Sequence, residues 1–265
     1  MIEAALAGIG LVGPGFTDWT RAAPLLRAPQ LWSPTPTVVP APTRLPANER
    51  RRAGPVVKAA LAVADEAVAM AGAEAAALAT VFTSSTGDPL NCHQLCEALA
   101  TSERLVSPTR FTNSVHNAAA GCWHIATHSQ APSTSLAAFD ASFGAGLLEA
   151  AVQCAHTGRS VLFVAVDVPY PEPLHALRPL ADSFALAFVL APARQPGLAR
   201  LRIGTTTESE TCCLHDALEP LRRQIPAARA LPLLERLAAG PGGSAGRIVV
   251  AGADDWRLAV AIEPT

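Results

Sequence analysis

Three observations predict an α/β fold in which helices cover a sheet. Apolar, strand-like runs alternate with helical patterns along most of the chain. Half of the 265 residues are hydrophobic and only 16% are charged, enough apolar material for a sizeable core. The run SVLFVAVDV is apolar without alternation, as a strand buried on both faces reads.

The elements follow in order. EAALAGIGLVG reads as a first strand, rich in small and apolar residues. From Pro24 to Pro46 the proline density predicts an extended surface loop. Asn48 is placed to cap a helix over about 49–71, with Gly72 as its stop. LATVFTSST is a second strand, ended by Gly87-Asp88-Pro89, and Asn91 to Thr101 a helix. Another helix spans roughly Asn113 to Ser129, and TSLAAF follows as a strand. Asp140 or Ser142 caps the next helix, which runs to Thr157 and closes at Gly158. After the buried strand SVLFVAVDV come FALAFVLAP and ARLRIGTTT, whose short link predicts an antiparallel pair. Helical sequence from about His215 to Ala239 is broken at Pro226 and Pro232. PGGSAG then leads to a last strand pair, RIVVAG and RLAVAIE, around the turn Ala253-Asp254-Asp255.

Composition excludes several function classes. The net charge is −2, with no long basic run, so nucleic-acid binding has no electrostatic footprint. Arg50, Arg51 and Arg52 read as a helix-start surface. MIEAALAGIG has no basic leader and carries Glu3, unlike a signal peptide. No apolar run is long enough for a membrane span. A cytoplasmic protein is therefore expected, with its six cysteines as buried thiols.

Gly8, Gly10 and Gly13 match GxGxxG, but Pro14 and Gly15 interrupt the helix start that a pyrophosphate needs. No acid follows Asp18 until Glu49. A strand-end turn is the better reading, and no cofactor is expected. His124 and His128 are spaced i, i+4, and Cys92, His93 and Cys96 are close in sequence. Neither cluster has a carboxylate at a recognisable ligand spacing, so no metal is expected. There is no GxSxG, and Thr83-Ser84-Ser85-Thr86 reads as a strand-end loop near a pocket. The sharpest feature is the strand–corner–helix unit at Asp140. A helix N-terminus offers unpaired N–H groups and a positive dipole end, which suit a carboxylate. As a plain N-cap, Asp140 would contribute about 1 kcal/mol.

The stretch PTRFTNSVHNAAAGCWHIATHSQAPSTSLAAFDASFGAGLLEA resembles the nucleophile region of β-ketoacyl synthases, members of the thiolase fold. In that family an asparagine in a small-residue helix precedes a Gly-Pro-Ser turn, a strand and a Thr-Ala-Cys corner. Here Asn117, Gly121, the turn Ala131-Pro132-Ser133 and TSLAAFD follow without a gap, and Asp140 stands where the cysteine would. LPANERRRAGPVVKAALAVADEAVAMAG is similar to the first long helix of a short, chain-length-factor-like branch that occurs with aryl polyene biosynthesis. The resemblance is clear from about Leu45 to Leu190 and weak beyond Arg200. It implies a thiolase-like, layered α-β-α fold with a truncated C-terminal half. It further implies one domain over 1–265, composed of a thiolase-like half (1–195) and a reduced remainder (196–265).

The departures from the family pattern set the functional expectation. A ketosynthase carries its acyl chain on a thiolate, and an aspartyl anhydride would hydrolyse. The family also uses two histidines from its C-terminal half, yet only His175 and His215 follow Asp167, neither in a glycine-flanked motif. The resemblance therefore implies a catalytically degenerate subunit that heterodimerises with an active β-ketoacyl-ACP synthase. It would help extend a polyene or β-keto acyl chain held on an acyl carrier protein. Ser135, Leu136, Ala137, Ala138 and Phe139 would form the intersubunit strand. His116, Asn117, Ala120, Trp123 and Thr127 would lie near the partner's acyl tunnel, with Trp123 and Phe139 as candidates for limiting chain length. Two alternatives stand beside this. One is a residual decarboxylase or thioesterase with Asp140 as general base. The other is a homodimeric acyl-carrier scaffold.

Overall fold

The computed structural model describes residues 1–240, 246–252 and 255–264. In chain order the elements are β1 (Ile2–Val12), α1 (Trp19–Arg27), α2 (Ala47–Arg52), α3 (Pro55–Ala71), β2 (Ala79–Thr83), α4 (Pro89–Ala100), α5 (Pro108–Thr112) and α6 (Ala118–Thr127). There follow β3 (Ser133–Leu136), α7 (Ser142–Thr157), β4 (Val161–Asp167), α8 (Leu174–Leu177), β5 (Phe184–Pro192), β6 (Ala199–Thr206), α9 (Glu219–Gln224), α10 (Leu231–Ala238), β7 (Gly246–Ala251) and β8 (Arg257–Pro264).

Among the described residues, one eight-stranded sheet runs β3-β2-β4-β5-β1-β6-β8-β7. Strands β3, β2 and β4 are parallel; the remaining pairs are antiparallel. Two apolar cores lie on opposite faces. On one, Leu6, Ile9, Phe163 and Phe188 pack against residues of α1, α7 and α10. On the other, Leu162, Val164 and Val189 pack against α3 and α6. Strands buried on both sides account for the continuous apolar sequence of β4 and β5. The result is a three-layer α-β-α arrangement.

Strand β1 shows how closely the layers approach. Its register shifts between Leu6 and Gly8, a bulge that keeps Ala4, Leu6, Ile9 and Leu11 all in the first core. Gly8 and Gly10 then face α3, where a Cβ would stand 2.1 Å from the Ala67 carbonyl and 2.0 Å from that of Val63. These glycines let helix and strand touch through backbone. The GxGxxG spacing is therefore helix–sheet packing inside a strand, and only Gly13 takes part in the expected turn, pairing with Phe16.

Several expectations are corrected. FALAFVLAP and ARLRIGTTT do not pair with each other; β1 lies between them and is antiparallel to both. The helix expected over 49–71 breaks at Gly54-Pro55, because proline removes a backbone donor and opens a new first turn. Asn48 therefore lies inside α2, and the arginines 50–52 form its last turn, while Gly72 ends α3 at φ 59° as expected. The proline-dense stretch begins in a helix, since α1 carries Pro24. Only Cys154 and Cys213 are buried; Cys92, Cys96 and Cys212 are exposed. β7 and β8 pair as expected, with Ala253 and Asp254 of their turn and most of PGGSAG outside the described residues. No helix among the described residues is long and apolar enough to cross a membrane.

Candidate functional site at the β3–α7 corner

The corner is built by an edge strand running into a helix. Among the described residues, β3 pairs with β2 on one side only, and it ends at Leu136, earlier than the expected Phe139. The chain then turns through a short 3₁₀ segment, Phe139–Ala141, into α7. Phe139 takes φ 52°, uncommon for a bulky residue. Ser142 holds this backbone: its Oγ accepts from the Ala138 N–H at 3.0 Å and donates to the Phe139 carbonyl at 2.7 Å.

Asp140 is not the cap of α7, whose N-terminus takes no side-chain bond. Its Oδ1 instead accepts from Arg178 Nη2 at 2.6 Å. The Arg178 guanidinium lies 3.6 Å from the centroid of the Phe139 ring and 5.8 Å from that of Tyr170. The corner carboxylate is thus committed to a cation that also stacks on the neighbouring aromatic.

Beside β3 opens a cavity of about 430 Å³, lined by His116, Asn117, Ala120, Gly121, His124, Ser133 and Ser135. Its polar wall is hydrogen-bonded. His116 Nε2 donates to the Ser84 carbonyl at 3.2 Å. His124 lies between Thr80 Oγ1 (3.2 Å) and the Ser129 carbonyl (3.3 Å), and Thr80 Oγ1 contacts Ser133 Oγ at 2.8 Å. Of the residues expected together, His116, Asn117, Ala120 and Ser135 share this cavity. Trp123 does not reach it. It is fully buried in the chain's own core, with Arg44 over its ring, and buried Thr127 bonds to its carbonyl at 2.8 Å. Leu136 packs inward, Ala137 is exposed and Ala138 half-buried, and Phe139 projects outward at 62% exposure. His128 occupies the left-handed end of α6 at φ 55°, away from a helical i, i+4 pairing. Among the described residues no three potential ligands are grouped for a metal.

A model of the β-ketoacyl synthase N-terminal domain matches residues 25–236. The chain belongs to that family. The fold is shared with a ketosynthase (ApeO) in complex with its chain length factor (ApeC) from Xenorhabdus doucetiae. That match has 23% identity and a TM-score of 0.72, and covers 98% of this chain and 100% of the other. The ishigamide ketosynthase/chain length factor matches at 14% identity and TM-score 0.72, over 100% and 99% of the two chains. A type II acyl-carrier protein–ketosynthase complex, AntDE:AntF, matches at 11% and 0.78, also over 100% and 99%. At these identities the likeness establishes a thiolase-like ketosynthase fold. No curated protein matches the chain.

Within this ketosynthase-like fold, sequence reasoning missed two groups that shape the site. Arg178 lies 38 residues from Asp140, in a proline-rich segment with no motif to mark it. Asp167 ends β4 fully buried, accepting from Ser85 Oγ (2.6 Å), Ser85 N–H (2.8 Å), Ala227 N–H (2.8 Å) and Ser84 Oγ (3.4 Å). Burial pushes its carboxyl up to about 6, and these hydrogen bonds oppose the rise. Asp167 thereby fixes the Ser84–Ser85 loop whose carbonyl His116 meets. Its sequence signal was an acid closing an otherwise apolar strand, opposite a run of hydroxyl residues.

Proposed function

We propose that this chain is a non-condensing, chain-length-factor-like subunit. It pairs with an active β-ketoacyl-ACP synthase and shapes the acyl tunnel of that partner. The observation that carries the reading is the strand-to-helix corner after β3, where the sequence resemblance expects the family's cysteine and the chain has Asp140, its carboxylate bound to Arg178. A carboxylate cannot hold a growing chain as a thioester, and this one is already hydrogen-bonded to a guanidinium. The edge strand β3 supports the pairing: its free backbone edge suits a second strand. Val115, Ile125 and Phe139, on and around this side, are more than half exposed, consistent with a covered surface. The similar structures include a ketosynthase with its chain length factor and one with an acyl-carrier protein.

The whole of 1–265 then acts as one domain in the cytoplasm, and the substrate is a polyene or β-keto acyl chain on an acyl carrier protein. Aryl polyene synthesis is the setting that the sequence resemblance favours. The test is co-expression with a candidate partner β-ketoacyl-ACP synthase, followed by native mass spectrometry. A 1:1 complex is expected. A monomer or homodimer that ignores the ketosynthase would overturn the reading. Malonyl-carrier decarboxylation abolished by Asp140→Ala would favour the general-base alternative instead.

A further inference from the structure

Phe139 is the aromatic side chain of the corner that faces outward, and its environment is one-sided. The ring is 62% exposed, so few contacts fix its rotamer. Its backbone, at φ 52°, is held by Ser142. Its ring is covered by Arg178, whose guanidinium lies 3.6 Å from the ring centroid. Arg178 is in turn anchored to Asp140 at 2.6 Å and approaches the Tyr170 ring at 5.8 Å. Arg178 is only 22% exposed, whereas Asp140 is half exposed. The guanidinium is thus fixed between the corner and the 168–183 segment, and the aromatic leans on it.

We infer that Arg178 is a positioning residue, a latch that sets the direction of Phe139 and through it the length of the product. The inference rests on the tunnel-shaping role proposed above and adds the residue that tunes it. An exposed aromatic samples several staggered wells. A stacked cation biases that choice by about 2- to 30-fold. The carboxylate at position 140 gains a purpose in this arrangement: it holds Arg178 in the stacking pose, using the bidentate-capable planar group that lysine lacks. An aromatic aimed in one direction closes a tunnel at one depth. An aromatic free to swing closes it at several.

The test uses the co-expressed heterodimer and two readouts. The first is the ¹⁹F resonance of 4-fluorophenylalanine placed at position 139, which reports the stacking cation directly. The second is the product-length distribution. Arg178→Met keeps the apolar stem and removes the pair; it is expected to shift and broaden the resonance. It should also move the product distribution in the same direction as Phe139→Ala, with the heterodimer still intact by native mass spectrometry. Arg178→Lys keeps charge without the planar stack and should give an intermediate result, and Arg178→Met should add nothing to Phe139→Ala. An unchanged resonance in Arg178→Met would overturn the latch. A changed resonance with unchanged products, while Phe139→Ala alters them, would overturn its link to chain length. Unchanged products in Phe139→Ala would overturn the tunnel reading itself, and with it the role given to Arg178.

Discussion

The centre of the sheet and its β3 edge are made from opposite materials. At the centre, β1, β4 and β5 are buried on both faces, and backbone touches backbone at Gly8 and Gly10. At the edge, β3 has no fully buried residue, and the corner beyond it is held by the Ser142 hydroxyl and one ion pair. Stability therefore resides where the chain can change least, and the corner lies where change costs the fold less. If that contrast is right, substitutions should lose their effect on folding from centre to edge and gain an effect on association.

The largest effect is expected at Gly10. A side chain there meets the Val63 carbonyl at 2.0 Å, and neither backbone can yield without separating α3 from β1. Gly10→Val should destabilise by about 3 kcal/mol or more, read as loss of soluble protein or a collapsed denaturation midpoint. A midpoint like that of the parent would show that the layers are looser than the contact requires. Next comes Asp167→Ala, which strips the acceptor from two buried N–H groups and two hydroxyls. About 2–3 kcal/mol should be lost, and the His116 side of the cavity should loosen with the Ser84 loop.

A smaller effect is pH-dependent. Glu66 on α3 accepts from the N–H groups of Leu11 (2.9 Å) and Trp19 (2.6 Å), so it ties the helix to the end of β1 and the start of α1. Burial raises its carboxyl from 4.5 to about 7, against those two bonds. The folded state then holds the proton more tightly than the unfolded chain. The Glu66 contribution to stability is full below about 4.5 and is lost as the pH rises through about 7. Asp167 adds to the same slope between 3.8 and about 6. Chemical denaturation across this range should show a falling midpoint. Glu66→Gln should flatten the upper part by about 1–2 kcal/mol, allowing for solvent screening at a partly exposed carboxyl. A midpoint rising with pH would contradict both assignments.

The same contrast decides what could be read from the sequence. Buried strands announce themselves, because two-sided burial needs unbroken apolar runs; β4 and β5 were legible for that reason. Partner choice among strands was not, since FALAFVLAP and ARLRIGTTT are joined by a short link whichever strand lies between them. Gly8 and Gly10 were visible as a pattern but ambiguous as to cause, because close approach to phosphate and close approach to a helix demand the same absence of Cβ. At the corner, the chain order suggested Asp140 as a cap of α7, and the structure gives its carboxylate to Arg178 instead. A cap is a local bond that spacing can suggest, whereas the pair with Arg178 spans 38 residues and depends on tertiary structure alone. Trp123 shows the reverse error, a bulky residue in a small-residue helix that serves its own core and not a surface.

The smallest effect on folding, and the most telling one, belongs to Ser135→Lys. Ser135 pairs with Phe82 on the inner side of β3, and its other side is the open end of the sheet. A lysine there has room to reach water, so the isolated subunit should unfold within about 0.5 kcal/mol of the parent. Edge lysines are what monomeric proteins use to prevent strand addition. If β3 is the surface that meets the ketosynthase, the same substitution should weaken the heterodimer by at least about tenfold, since a charge must be desolvated or the strand register lost. Titration of the subunits followed by native mass spectrometry reads both quantities on one sample. An unchanged affinity would move the interface off the sheet edge. A lost affinity with an unaltered subunit would mean that the edge is kept open for a partner, because nothing in this chain's own stability depends on leaving it bare.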